Sequence, residues 1–353
     1  MTEGTMEPSE TTAVRPAHVF DVAALAAYMR AHVPGFAGSL TVRQFKGGQS
    51  NPTFLLTAGD RQYVMRKKPP GKLLASAHQV DREYRVIRAL AATDVPVPPV
   101  HALCEDEGVI GSAFYVMDYL PGRIFRDPQL PGLSPAERAA VYDSMNDVLA
   151  RLHRVDCQDV GLGDYGKPGN YFERQIGRWT KQYEAARTDT IEPMDNLIAW
   201  LPRHVPPGDE TCIVHGDFRL ENAIYHPTEP RMIAVLDWEL STLGHPLADL
   251  AYNCLVYHMA SPSGGTLVGL DFAATGIPSE EEYVAAYCRR TGRAGVEHWD
   301  FYLAFSLFRL ASIAQGVYKR GLDGIASSEQ ATMYGAISAL LAGLAWSMVG
   351  EQA

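Results

Sequence analysis

Cysteine is scarce and shows no pairing pattern. Cys104, Cys157, Cys212, Cys254 and Cys288 are spread along 353 residues without a C-x-x-C pair. An odd, scattered set excludes a disulfide framework and a zinc site, and it points to a reducing cytoplasmic setting. Positive charge is also short. Lys and Arg number 31 against 41 Asp and Glu, a formal net charge of −10. A nucleic-acid partner needs the opposite balance, so none is expected. The start, MTEGTMEPSETTAVRP, is polar and acidic with no apolar core, so no signal peptide is expected. One uncharged stretch, between Glu329 and Glu351, is long enough to span a bilayer. It is rich in Ala, Gly and Ser, and its flanks are acidic rather than Lys/Arg-rich, so no membrane partner is expected. Gly335, Ala339 and Gly343 recur there at a spacing of four, which suits close helix packing in a soluble core.

What is present is ordinary globular material. Hydrophobic residues make up 46% and charged residues 20%. The length exceeds one typical core and suggests two lobes. Residues 1–120 hold 12 basic and 12 acidic residues, so all the excess negative charge falls in residues 121–353. That excess reads as a solvated helical surface or as a lobe that attracts a cationic substrate.

The first part alternates short β-rich runs with turns. Residues 40–46, 53–57 and 62–66 read as strands, with Gly47-Gly48 and Gly59-Asp60 as turns. Residues 78–91 carry a helical stripe of Val80, Tyr84, Ile87 and Leu90, which Val95-Pro96-Val97-Pro98-Pro99 stops. Residues 113–120 form a further apolar strand. The second part is mostly helical. Ser134-Pro135-Ala136-Glu137 and Ser279-Glu280-Glu281-Glu282 are capping boxes that open helices. Helical patterns also cover residues 171–186, 247–258, 298–319 and 328–349. One hairpin, residues 222–225 and 232–238, is set among them. The expected organisation is α+β: a flexible tail (1–19), a small antiparallel β-rich lobe (20–120) and a large, mostly helical lobe (121–353).

The chemistry concentrates in Val214-His215-Gly216-Asp217-Phe218-Arg219-Leu220-Glu221-Asn222, followed by Val235-Leu236-Asp237-Trp238. Protein kinases have a catalytic loop H-x-D-x-x-x-x-N, then a β-hairpin and a metal-binding Asp. Order, spacing and hairpin all match. Asp217 suits the base that accepts a proton from an attacking hydroxyl. Asn222 and Asp237 offer hard oxygen ligands for Mg²⁺. Arg219 either offsets charge on the transferring phosphoryl or simply pairs with Glu221.

These residues resemble the aminoglycoside phosphotransferase family of the protein-kinase-like superfamily. The closest likeness is to the subgroup fused to, or encoded beside, acyl-CoA dehydrogenases. It rests on Gly47-Gly48-Gln49-Ser50-Asn51-Pro52-Thr53, on Tyr63-Val64-Met65-Arg66-Lys67-Lys68-Pro69-Pro70-Gly71, and on residues 235–250. The resemblance implies a kinase-like bilobal fold, ATP, Mg²⁺ and phosphate transfer to a small-molecule alcohol. The acceptor it suggests is a hydroxyacyl-CoA or another metabolic alcohol. The alternatives are an aminoglycoside kinase and a non-catalytic nucleotide-binding pseudokinase. A homodimer and a functional link to an acyl-CoA dehydrogenase are compatible with it.

Nucleotide contacts are expected from the small lobe. Backbone amides around Gly47, Gly48, Gln49 and Ser50 cradle phosphates, or the segment is an ordinary hairpin. The kinase strand V-A-I-K has its counterpart in Tyr63-Val64-Met65-Arg66, so Arg replaces Lys. Strand alternation favours Arg66 over Lys67, with Glu83 as its partner. Asp118, Tyr119 and Leu120 stand where the kinase hinge would meet adenine. Asp249, near the start of a helix, resembles the family's structural Asp and reads as a cap or a loop brace rather than a catalyst. Arg174 and Arg178, near one face of a helix, are candidates for an anionic acceptor, or they are part of a solvated face.

Overall fold

In the computed structural model, residues 10–46, 51–69, 79–261, 264–324 and 329–350 are described. They form a small antiparallel-sheet unit and a helical unit, the kinase-like α+β class. The first unit comprises Met1–Phe125, Gln158–Leu162 and Arg219–Ser241; the second comprises Arg126–Cys157, Gly163–Phe218 and Thr242–Ala353.

The first unit is built on a six-stranded antiparallel sheet: β1 (Thr11–Thr12), β2 (Leu40–Phe45), β3 (Thr53–Ala58), β4 (Arg61–Lys67), β5 (Val100–Cys104) and β6 (Phe114–Asp118), in the order β1-β2-β3-β4-β6-β5. Alternation assigns its faces. Phe54, Leu56, Tyr63, Met65, Phe114 and Val116 are buried in one cluster with Leu25, Ala26 and Met29 of helix α1 (Val22–His32). Asp21 caps α1, accepting from the amides of Ala23 and Ala24. Helix α2 (Val80–Leu90) lies on the opposite face, where Tyr115 and Arg66 meet Glu83. Glu107–Ile110 forms a short helix, α3.

The expected flexible tail is partly docked. Thr11 and Thr12 pair with Phe45 and Gln44, and the Arg15 amide donates to Gln44 Oε1 at 3.0 Å. The expected boundary at residue 120 also moves. The hairpin of Ala223–Tyr225 and Met232–Val235 belongs to the first unit, because Arg123 and Tyr225 exchange two backbone hydrogen bonds of 2.8 Å. The second hairpin strand ends at Val235 rather than 238. Asp237 adopts a left-handed conformation (φ 63°, ψ 60°), which turns the chain out of the ladder.

The helical unit comprises α4 (Pro135–Arg154), α5 (Tyr171–Ala186), α6 (Glu192–Trp200), α7 (Pro246–Cys254), α8 (Phe272–Thr275), α9 (Glu280–Thr291), α10 (Trp299–Leu322) and α11 (Tyr334–Val349). Both expected capping boxes form, at Ser134/Glu137 and Ser279/Glu282. Helix α10 is the core: its Phe301, Tyr302 and Phe305 rings surround Phe172 of α5. A two-stranded ladder, Cys212–Val214 with Thr242–Gly244, precedes the loop that carries His215.

The helical run Ala331–Val349, most of it α11, is long and apolar enough to cross a membrane by length and composition. It packs against α10 through a different row from the one its small residues suggested. Ser338, Leu341, Ala342, Ala345 and Val349 are buried, and Ser338 Oγ donates to the Ala311 carbonyl at 2.9 Å. Gly335 does abut the Tyr318 ring, but Ala339 is exposed. A 3.6-residue period rotates a strict four-residue row off the contact face.

Candidate active site

In the first unit, alternation along β4 separates Arg66 from Lys67. Lys67 is buried on the α1 side, 5.2 Å from the Phe20 ring centroid, and burial lowers its pKa. Arg66 points to the opposite face. Its Nη1 lies 3.1 Å from Glu83 Oε2, and its Nη2 lies 3.0 Å from Asp237 Oδ1. Glu83 is sealed from solvent. It also accepts from Tyr115 Oη at 3.1 Å and from Asn51 Nδ2 at 2.7 Å. Burial opposes the Arg66 charge, but Glu83 and then Asp237 overcome it and hold the guanidinium above its ordinary pKa. Burial pushes Glu83 upward, and Arg66 with the two hydrogen bonds opposes that. A guanidinium does not give up its proton, so Arg66 stands as a permanent cation beside Glu83.

Asn222 and Asp237 are brought together through the backbone. Asn222 closes a 3₁₀ turn (Leu220–Asn222), and its carbonyl accepts from the Leu236 amide at 2.8 Å. Asp237 follows directly. Trp238 anchors the other side, donating from Nε1 to the Val235 carbonyl at 3.0 Å. The donor set fits Mg²⁺: an amide oxygen and a partly exposed carboxylate, both hard oxygens. Among the described residues no group of three or more His, Cys, Asp or Glu side chains is placed to hold a metal. A site that completes its shell with phosphate oxygens and water needs only one or two protein ligands.

Two observations bear on a nucleotide. Arg66 Nε is buried and has no hydrogen-bond partner among the described residues, a need that a phosphate oxygen meets. At the expected hinge, the Asp118 amide donates to Pro99 and its Oδ1 pairs with His101 at 2.6 Å, while the Tyr119 amide donates to Gln62. Leu120 is half-buried, and among the described residues its amide and carbonyl make no hydrogen bond. Gly47, Gly48, Gln49 and Ser50 lie outside the described residues.

In the second unit, the loop residues His215, Gly216, Asp217 and Phe218 are held by one face of α7. Asp249 accepts the His215 amide at 2.6 Å and the Gly216 amide at 2.8 Å, so of the two roles its position suggested, cap or loop brace, it takes the brace. Tyr252 Oη donates to Asp217 Oδ1 at 2.5 Å, and Asn253 Nδ2 donates to the Phe218 carbonyl at 3.0 Å. Arg309 of α10 donates to the Gly216 carbonyl at 2.6 Å. His153 backs Asp249 from α4, with Nε2 3.3 Å from Oδ2, and its Nδ1 lies 2.7 Å from Tyr287 Oη. Burial pushes the Asp249 carboxyl upward, but the His153 and His215 interactions win and its pKa lies below the usual value.

The remaining candidates are placed separately. Arg219 lies 3.3 Å from Glu221. Arg174 donates to the Lys167 carbonyl, and Arg178 covers the Trp179 ring, so the two share no partner among the described contacts. Asn51, Tyr115, Tyr252, Asn253 and Arg309 escaped the sequence reading. Asn51 had a local signal, as a polar residue between the Gly-Gly turn and β3. The others had none.

An antiparallel sheet with a buried Arg–Glu pair, and a helical unit presenting a braced H-G-D loop, define a kinase-like phosphotransferase fold. The chain belongs to the APH phosphotransferase enzyme family, whose profile matches residues 41–304. Among curated proteins it is 51% identical over 318 residues to mouse acyl-CoA dehydrogenase family member 10, covering 89% of this chain and 30% of that protein. It spans less than half the length of the curated relatives it matches most strongly. A crystal structure from Ralstonia eutropha, assigned as an aminoglycoside phosphotransferase, superposes with a TM-score of 0.86 at 55% identity, covering 94% of this chain and 99% of that one. A thermostable APH(4)-Ia in complex with ADP and hygromycin B shares the fold at TM-score 0.59 and 16% identity, covering 88% and 95%. The family and this neighbour support a phosphotransferase of the small-molecule class.

Proposed function

We propose that the chain transfers the γ-phosphate of ATP to a hydroxyl of a small metabolic alcohol, with a hydroxyacyl-CoA as the first candidate. The observation that carries this reading is Arg66, one guanidinium bonded at once to buried Glu83 and to Asp237. That arrangement fixes a permanent cation beside the carboxylate assigned to the metal. Arg66 then binds phosphate through its unmet Nε, and the Leu120 backbone bonds adenine. Asn222 and Asp237 hold Mg²⁺, which when bound neutralises charge on the phosphates. Asp217 takes the proton of the acceptor hydroxyl. The acceptor oxygen bonds to the γ-phosphorus as the bond from that phosphorus to the bridging oxygen breaks, and ADP leaves. ATP is supported by the fold's occurrence in a complex with ADP, and the acyl acceptor by the names of the curated relatives.

Two other readings have support. The structure from Ralstonia and the acidic second part favour an aminoglycoside. Arg in place of the kinase Lys favours a pseudokinase. The five free thiols support a cytoplasmic setting, and an acyl-CoA dehydrogenase is the proposed functional partner. The test is an ATP-consumption screen with hydroxyacyl-CoAs, aminoglycosides and amino alcohols in parallel. ADP formation that requires Mg²⁺ and a hydroxyacyl-CoA is expected. Turnover with an aminoglycoside alone overturns the acyl acceptor, and ATP binding without turnover on any alcohol favours the pseudokinase.

A further inference from the structure

Helix α7 touches four successive loop residues from one face. Asp249, Tyr252 and Asn253 stand at i, i+3 and i+4, so their side chains project on the same side. Asp249 holds the amides of His215 and Gly216, and Asn253 holds the carbonyl of Phe218. These bonds fix the backbone on both sides of Asp217. Tyr252 acts on the side chain itself, through Oη to Oδ1 at 2.5 Å.

Tyr252 is itself supported. The Arg309 guanidinium lies 5.3 Å from its ring centroid and 5.7 Å from that of Trp179, and the same guanidinium bonds the Gly216 carbonyl. Arg309 is buried and has no carboxylate partner among the described residues. A buried charge without a counter-ion is costly unless other groups solvate it, and here two aromatic faces and a carbonyl do so. A half-buried tyrosine would ordinarily turn its hydroxyl to water. This one is packed so that its hydroxyl meets the carboxylate.

The geometry points to Tyr252 as the positioning residue that sets the orientation of the Asp217 carboxylate. The inference rests on Asp217 being the base, as proposed above. Tyr252 keeps its own proton throughout. It holds Oδ1 while the carboxylate receives the proton of the attacking hydroxyl, and so aims the base at the position of that hydroxyl. Misaligned by about an ångström, a base of this kind loses up to ~100-fold in rate.

The test compares wild type with Tyr252→Phe, Asp217→Asn and Tyr257→Phe. Tyr257→Phe is the control, since it removes a tyrosine hydroxyl bonded to the Pro278 carbonyl rather than to the base. ADP release from Mg-ATP with water as acceptor gives kcat and KM for ATP, and crystal structures give the carboxylate orientation. Tyr252→Phe is expected to lower kcat about tenfold or more, to leave KM for ATP within about twofold and to turn the Asp217 carboxylate from its wild-type rotamer. Tyr257→Phe is expected to change neither. Asp217→Asn with wild-type turnover removes the base, and this inference with it. If Asp217→Asn is inactive and Tyr252→Phe matches wild type, the base stands and the inference alone is overturned. A carboxylate that keeps its place in Tyr252→Phe crystals overturns it whatever the turnover.

Discussion

Glu83 is sealed from solvent with one oxygen 3.1 Å from the Arg66 guanidinium. Removing one partner of a buried pair leaves the other charge uncompensated, at a cost of about 3–5 kcal/mol. Glu83→Ala is therefore expected to lower stability by about that amount in urea unfolding. Arg66→Lys keeps a charge but cannot span Glu83 and Asp237 with one planar fork. It is expected to unfold near the wild-type midpoint and to bind ATP about tenfold more weakly by calorimetry. A Glu83→Ala protein as stable as wild type contradicts the pair.

His245 links the helical unit to pH. Its Nδ1 accepts the Leu247 amide at 3.2 Å and so caps α7, and the imidazole is buried against Phe172 and Tyr302. Burial pushes its pKa down to about 4, against weaker support for the cation from Glu210. The unfolded chain binds a proton near pH 6.5 that the folded chain refuses. The stabilisation is thus fully present above 6.5 and is lost as pH falls towards 4. At most about 3 kcal/mol is at stake. His245→Asn retains a capping oxygen and is expected to lose less melting temperature between pH 7 and 4.5 than wild type. Parallel curves for the two proteins contradict the assignment.

Gly122 tests how the hairpin is seated in the first unit. A Cβ there would fall 2.3 Å from Ile224 Cγ2 and 2.5 Å from the Tyr225 carbonyl oxygen. The backbone oxygen cannot yield without breaking the Arg123–Tyr225 bridge. Gly122→Ala is expected to destabilise by about 1–3 kcal/mol, the usual range for overpacking, with faster amide exchange at Tyr225. Wild-type exchange at Tyr225 contradicts the seating.

Legibility tracked sequence distance. The H-G-D loop, Asn222 and Asp237 follow a local spacing, and both capping boxes are four-residue patterns, so each could be read directly. Helix α5 was readable from end to end because its apolar stripe is regular. Helix α1 was not, because an Ala-rich segment buries Leu25, Ala26 and Met29 without a strong stripe. The residues that fix the loop were hidden for a different reason. Tyr252 lies 35 positions from Asp217, and Arg309 lies 93 from Gly216. Only the packing of α7 and α10 brings them to the loop, and no short motif encodes that. The backbone that crowds Gly122 is about a hundred residues away in sequence, beyond the reach of any local pattern.

The most direct measurement follows γ-labelled phosphate from ATP onto the acceptor found in the alcohol screen, in wild type and in Asp217→Asn. The account predicts Mg²⁺-dependent label on an alcohol oxygen in wild type. It predicts a loss of about 100-fold or more in Asp217→Asn, the scale of a missing general base, at an unchanged melting temperature. Undiminished transfer in Asp217→Asn, or wild-type protein that binds ATP and labels no alcohol, contradicts it.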